Sequence, residues 1–353
     1  MNTLAAAAVV LGLALAGGFA GAVPGGTAAV TVVIPYAAFL TLVMGVSWRV
    51  WQWAESPVPY RIPTTCGQQR SLPWIVTAPI DNPDTGFMAA LRVAIEALFF
   101  RSLLRNSRAH VFGNRLEFSE ARLLWLAALA LHWSLLVIVL RHLRFALQPV
   151  PAFVPLLDTV DGILQIGAPA LLITDILVVA ALLFLLGRRL VNPLLRYLSL
   201  FTDYFALLLL LGIVLSGIAM RYGARVDLIS VKALVLGLAS FHPAVPAAPS
   251  PVFLIHLLLV SALAVYLPFS KLVHFGGVFL SPTRNLANNS RRVRHINPWN
   301  HPVPTHSYAE WEAENAGVMK AAGLPLDGAD HVLEARHRYR SEGAQGRLAR
   351  RAY

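Results

Sequence analysis

Eleven histidines are scattered over the 353 residues, and four of them stand where an imidazole is expensive. His132 and His142 lie on one apolar tract and His256 and His274 on another, whereas His110, His242, His295, His301, His306, His331 and His337 fall in loops or the tail. An ionisable side chain in hydrocarbon marks a functional site unless it merely reaches an interface. Taken singly, His142 beside Arg141 and His274 beyond Lys271 could each snorkel to such an interface. Two on each of two tracts suit a different chemistry, bis-histidine coordination, with each iron taking one ligand from each tract. The single cysteine, Cys66, excludes an intramolecular disulfide, a four-cysteine iron–sulfur cluster and a Cys-x-x-Cys-His haem site. Its simplest reading is an inert thiol in a turn.

The elements that must position these histidines are membrane helices. With 57% hydrophobic and 13% charged residues, the chain is too apolar for a soluble protein of its length. The apolar residues gather into tracts near 4–22, 28–48, 123–145, 163–186, 200–220 and 252–274, each about the length a helix needs to cross hydrocarbon. A barrel would alternate apolar and polar residues, and the continuous run Ala206 to Leu215 does not. The expected fold is therefore all-α, a polytopic bundle of five core helices plus an additional N-terminal helix. That first tract lacks the basic start of a signal peptide and is expected to be retained, in a tight hairpin with the second. The expected divisions are 1–26, an N-terminal apolar helix; 27–280, a dihaem membrane domain with a loop over 49–122; and 281–353, a docking tail.

Lys and Arg avoid the translocated side in short loops. Segment 49–122 holds nine Arg, 188–199 three, and the tail after 275 eleven Lys plus Arg, against none in 147–162 and only Arg225 and Lys232 in 222–251. The basic segments, including the C-terminus, are expected on the cytoplasmic side of a bacterial or archaeal inner membrane. The net charge of +11 then follows from topology and anionic lipid, with no nucleic acid required. Within the loop, Arg92, Glu96, Arg101, Arg105 and Arg108 recur at about helical spacing, so 87–108 reads as an interfacial helix.

Under that topology the two histidine-bearing helices run oppositely, and the histidines pair by depth. His132 and His274 lie toward the cytoplasm and His142 and His256 toward the outside, which predicts one haem b near each face. The separations of 10 and 18 residues correspond to rises of about 15 and 27 Å, so a helix must bend, and Pro268 is placed to bend it. Arg141 and Arg144 near the outer pair and Lys271 near the inner are candidate partners for haem propionates. A quinone pocket is expected at the outer haem, with Asp158, Asp161, Arg225, Asp227 and Lys232 as its polar groups and the carboxylates as proton acceptors. The intramembrane carboxyls Asp175 and Asp203 leave open a proton-coupled transporter. Histidines serving as polar glue in a membrane anchor are the other alternative.

The four histidines, with Ile255-His256-Leu257-Leu258 and Leu267-Pro268-Phe269-Ser270-Lys271-Leu272-Val273-His274, give the core a pattern that resembles the gamma subunit of respiratory nitrate reductase. That resemblance implies that His132, His142, His256 and His274 hold two b haems and that the chain exchanges electrons with quinol. The loop Ile62-Pro63-Thr64-Thr65-Cys66-Gly67-Gln68-Gln69-Arg70-Ser71-Leu72-Pro73-Trp74 and the tail Asn297-Pro298-Trp299-Asn300-His301-Pro302 are similar to a narrower family. This is the DsrM family, cytochrome b subunits of the sulfite-reduction-associated transmembrane redox complex. It implies a cytoplasmic iron–sulfur subunit resembling heterodisulfide reductase, a multihaem cytochrome c, a periplasmic iron–sulfur protein, a second membrane subunit and, indirectly, a sulfur-carrier protein. The chain would act as the electron-transfer, quinone-interacting subunit of a membrane oxidoreductase complex. The loop 61–74 and the tail 285–311 are the expected docking segments.

Overall fold

A computed structural model describes residues 2–55, 67–105, 107–162, 169–224, 226–281, 285–289 and 307–326. Cys66, Arg225, the first part of the 61–74 loop and the Asn297–Pro302 motif lie outside the described residues. The chain divides into two units, Met1–Arg294 and His295–Tyr353.

The first unit is a helical bundle. Among the described residues, five helices are long and apolar enough to cross a membrane: α1 (Asn2–Ala22), α2 (Gly26–Glu55), α4 (Arg122–Ala146), α7 (Phe201–Tyr222) and α9 (Pro251–Phe269). A sixth, α6 (Ile173–Val191), carries Asp175, Arg188 and Arg189 in its end turns. At 19 residues it is about 28 Å long, enough for the hydrocarbon core. Its start falls ten residues after that of the 163–186 tract, beyond Pro169 and an extended Leu172. Shorter helices are α3 (Gly86–Phe99), α5 (Phe153–Asp161), α8 (Leu228–Ala239) and α10 (His274–Leu280).

Two differences from the sequence reading concern local chemistry. The helix expected over 87–108 ends at Phe99, because Phe100 takes a left-handed conformation (φ 50°). One further turn, Arg101–Leu104, leads into an antiparallel hairpin, β1 (Ser107–Phe112) with β2 (Arg115–Glu120), closed at Gly113-Asn114 with Phe112 opposite Arg115. Second, α1 and α2 are joined by the tight turn expected of a hairpin, yet each packs chiefly on α9. Glycine makes the turn possible. Gly25 sits at φ +74°, and a Cβ on Gly26 would meet the Ala20 carbonyl oxygen at 2.2 Å.

Lipid tails are as apolar as Leu, so such helices associate by close packing, and small residues mark the closest approaches. A Cβ on Gly17 of α1 would stand 2.8 Å from the Ile255 Cα on α9, and one on Gly45 of α2 would stand 2.7 Å from the Pro268 ring. Ala6, Tyr204, Phe205, Leu209 and Leu259 form the cluster joining α1, α7 and α9. Leu131, Val178, Ala181, Leu182 and Val214 join α4, α6 and α7. The consequence for the site is a separation. α4 packs on α6 and α8, and α9 packs on α1, α2 and α7, while α4 and α9 share no extended backbone contact.

Among the described residues of the second unit, the helix α11 (Tyr308–Ala321) opens with a capping box. Ser307 Oγ accepts from the Glu310 amide at 3.3 Å, and the Glu310 carboxylate accepts from the Ser307 amide at 2.6 Å.

Candidate functional site

The histidines bridge the space between α4 and α9. The His142 and His256 ring centroids lie 6.5 Å apart with planes 14° from parallel. His132 and His274 lie 5.9 Å apart with planes at 75°. The unequal spacing is absorbed where α9 ends. Its helix gives way at Leu267 to a tight turn through Pro268, Ser270 is extended (ψ 174°), and helical geometry resumes at His274. Arg49 Nε donates to the Pro268 carbonyl at 3.3 Å.

Hydrogen bonds fix which ring nitrogen is free. Nδ1 of His132 lies 2.7 Å from the Ala128 carbonyl, Nδ1 of His142 lies 2.7 Å from that of Ile138, and Nδ1 of His274 lies 2.9 Å from that of Lys271. Nδ1 of His256 lies 3.1 Å from the Ile213 carbonyl and 2.9 Å from Ser216 Oγ. A carbonyl can only accept, so each Nδ1 carries the proton and each Nε2 keeps a lone pair. Metal-bound histidines have this arrangement, with the outer nitrogen tethered.

The residues fit a haem better than a bare ion. No cluster of three or more His, Cys, Asp or Glu poised for a metal occurs among the described residues. Two nitrogens at each site are too few for an ordinary protein metal centre. They would suffice for the iron of a haem, whose porphyrin would supply the remaining nitrogens. With metal–nitrogen bonds of about 2 Å on either side, the ring centroids fall roughly 6 Å apart.

The charged residues sort by end. At the His142 end, Arg141 is 9% exposed and pairs closely with Asp161, with Asp175 at 3.8 Å and Asp158 at 3.9 Å. Arg144 pairs with Asp158. Asp161 also accepts from the Thr174 amide at 2.8 Å and the Thr174 hydroxyl at 2.6 Å, and Tyr222 donates to Asp175 at 2.9 Å. Asp227 caps α8, accepting from the Ile229 amide at 3.0 Å and from the Ser230 hydroxyl, and these bonds hold its carboxyl below the usual carboxylate range. Beside this network a cavity of about 630 Å³ opens, walled by Phe145, Val154, Pro155 and Leu236, with Arg144, Asp158 and Lys232 as its charged groups. Phe145 lines the cavity and its ring lies 5.9 Å from that of His142.

At the His132 end, Lys271 Nζ donates to Asp203 at 3.0 Å, and Asp203 in turn accepts from the Leu200 amide at the start of α7. The Phe100 ring meets His132 edge-on at 4.9 Å. Its elbow is pinned to α4, where Trp125 and Trp133 donate to the carbonyls of Phe99 and Leu98 at 2.7 and 3.0 Å. Beyond it, Asn288 Nδ2 donates to Asn82 at 2.7 Å, the Asn288 amide donates to the Pro83 carbonyl at 2.6 Å, and Gln69 donates to Asn288 at 3.2 Å. The expected docking loop is thereby tied to the chain that follows α10.

The structure thus brings Asp158, Lys232 and Arg144 to one cavity, locks Arg141 and Asp161 in an ion network, and puts Asp227 at a helix cap. Sequence reasoning passed over Phe100, Thr174, Ser216 and Tyr222. Ser216 carried a signal, a hydroxyl within an otherwise apolar span, whereas the other three acquire roles only through neighbours distant in sequence.

Comparison with known proteins places the chain in a family. Residues 89–295 match the family model of the nitrate reductase gamma subunit. The chain is 44% identical over 303 residues to an Hdr-like menaquinol oxidoreductase cytochrome b-like subunit of Archaeoglobus fulgidus, covering 84% of this chain and 90% of the relative. It is 42% identical over 279 residues to the protein of that name in Archaeoglobus profundus, covering 75% and 81%. The matched region contains all four histidines, and the chain belongs to the nitrate reductase gamma subunit family.

Proposed function

We propose that this chain is the dihaem cytochrome b subunit of a membrane oxidoreductase complex, passing electrons between the quinone pool and a cytoplasmic iron–sulfur partner in dissimilatory sulfur metabolism. The observation that carries the reading is the double bridge. Two histidine pairs join α4 to the α9–α10 segment, with every Nδ1 tethered and every Nε2 left to ligate. When bound, haem supplies one-electron chemistry at each end. Along α4 the ligands are separated by about 15 Å, a distance that electrons cross by tunnelling.

The residues around the two ends suit different duties. The 630 Å³ cavity beside His142 has apolar walls and a few charged groups, the make-up of a small-molecule site, and suits a quinone headgroup. Asp158, at 32% side-chain exposure, is the carboxylate placed to take a proton from quinol. Asp161 is committed to Arg141 and Thr174, and Asp227 to its cap. The relatives' name supports a menaquinol-type quinone and an iron–sulfur partner resembling heterodisulfide reductase. In this reading the basic loops and C-terminus face the cytoplasm, where the loop 61–74 and the tail 285–311 receive that partner. A multihaem cytochrome c, a periplasmic iron–sulfur protein and a second membrane subunit complete the complex, with a sulfur-carrier protein downstream.

The decisive measurement is the reduced-minus-oxidised spectrum of the purified chain with haem quantified. Two b-type haems per chain are expected. A chain lacking b-type absorption would sink the reading and return the histidines to structural polar glue.

A further inference from the structure

His132, His142 and His274 are oriented from within their own local segments, each using the carbonyl three or four residues earlier. His256 reaches out of its helix. Its Nδ1 faces Ser216 Oγ at 2.9 Å and the Ile213 carbonyl at 3.1 Å, both on α7, a helix that carries none of the four histidines. Ser216 is 8% exposed, and its hydroxyl donates to that same Ile213 carbonyl at 2.9 Å. Its lone pairs are therefore left to accept, and the His256 N–H has two acceptors. The next residue makes room. A Cβ on Gly217 would stand 3.4 Å from His256 Cε1, about van der Waals contact, so the ring lies close against α7 at that position.

An acceptor on Nδ1–H shifts electron density toward Nε2 and makes the imidazole a stronger donor. A stronger donor favours ferric over ferrous iron and lowers the midpoint potential. Resting on the dihaem reading above, we propose that Ser216 is a positioning residue that aims His256 and holds down the potential of the haem at the His142 end. The effect is local, since nothing in the Ile213–Ser216–His256 cradle touches His132 or His274.

The test is a potentiometric titration of the chain purified with its haems, comparing wild type with Ser216→Ala and Ser216→Thr. In Ser216→Ala the spectral component that disappears in His142→Ala should shift to higher potential. The other component should stay at its wild-type value, and Ser216→Thr, which keeps the hydroxyl, should titrate near wild type. Unmoved potentials in Ser216→Ala, or movement of the His132-end component alone, would overturn the proposal. If Ser216→Ala sheds that haem, Ser216→Cys decides, because it keeps a weak acceptor at similar volume. A raised potential supports the role, and a wild-type value overturns it. Wild-type protein without b haem would instead refute the reading on which this rests.

Discussion

The two histidine pairs share α4 and the α9–α10 segment, yet their surroundings share little. At the His142 end the rings lie nearly parallel, next to a buried network of Arg141, Arg144, Asp158, Asp161 and Asp175 and a cavity with apolar walls. At the His132 end the rings cross at 75°, an aromatic edge covers one of them, and the polar surroundings are the Lys271–Asp203 pair and a set of neutral amides joining Gln69, Asn82 and Asn288. Ligand chemistry is thus repeated while the shell is specialised. One end opens on a cavity with apolar walls and a few charged groups, and the other carries a loop tied by hydrogen bonds to the chain that follows α10.

The comparison breaks most severely if the pairs themselves are wrong. His142→Ala and His256→Ala should each abolish the same b-type component, and His132→Ala and His274→Ala the other, because one missing axial ligand leaves a single imidazole per iron. Spectra in which His132→Ala and His142→Ala lose the same component would dissolve the two ends into one site.

Next in size is the scaffold at the His142 end. Asp161→Asn leaves the Arg141 guanidinium, 9% exposed, without its closest carboxylate. Removing one partner of a buried pair costs about 3–5 kcal/mol. Asp158 and Asp175 near 4 Å soften this toward the lower figure. Thermal loss of the b-type absorption in detergent should come markedly earlier for Asp161→Asn than for Lys271→Ala, whose side chain is 73% exposed. Equal thermal stability in the two variants would remove the structural distinction between the ends.

The chemical distinction gives a kinetic effect. Asp158→Asn should slow haem reduction by a quinol analogue by about 100-fold, the lower range for loss of a general base, while Asp227→Asn leaves the rate unchanged. Asp227 is held ionised by its capping bonds, which makes it a poor acceptor of a proton at neutral pH. Slowing in Asp227→Asn with none in Asp158→Asn would move the quinone site out of the cavity.

Much of this was readable because cost makes sequence informative. An imidazole in hydrocarbon is rare enough that four of them at matched depths specified both helices, and Pro268 foretold the break between His256 and His274. Lys and Arg at the span ends were harder, since position along a helix does not say whether Arg141 meets a propionate or the carboxylates on α5 and α6. The hairpin after α3 had a signal in Gly113-Asn114 between alternating residues, but the charges at helical spacing through Arg105 and Arg108 obscured it. Phe100 could not have been foreseen. A bulky residue with positive φ is an outlier, retained here where its ring packs on His132.

The smallest expected effect belongs to the loop at the His132 end and concerns Asp81. Arg101, and then Arg105, bond its carboxylate and lower its pKa from the usual 3.8 to about 2 against the opposing pull of burial. Because the folded value lies below the unfolded one, the carboxylate stabilises the loop in full above about pH 4, and that contribution is lost as pH falls toward about 2. At neutral pH, Asp81→Asn removes it outright. Amide hydrogen exchange should then rise across the described loop residues 67–105 and stay unchanged in α4, with both b-type components intact. If the component tied to His132 and His274 shifted along with the exchange, the loop would be part of the haem's own support. The contrast between a shell built for chemistry and one built for docking would then fail at this end.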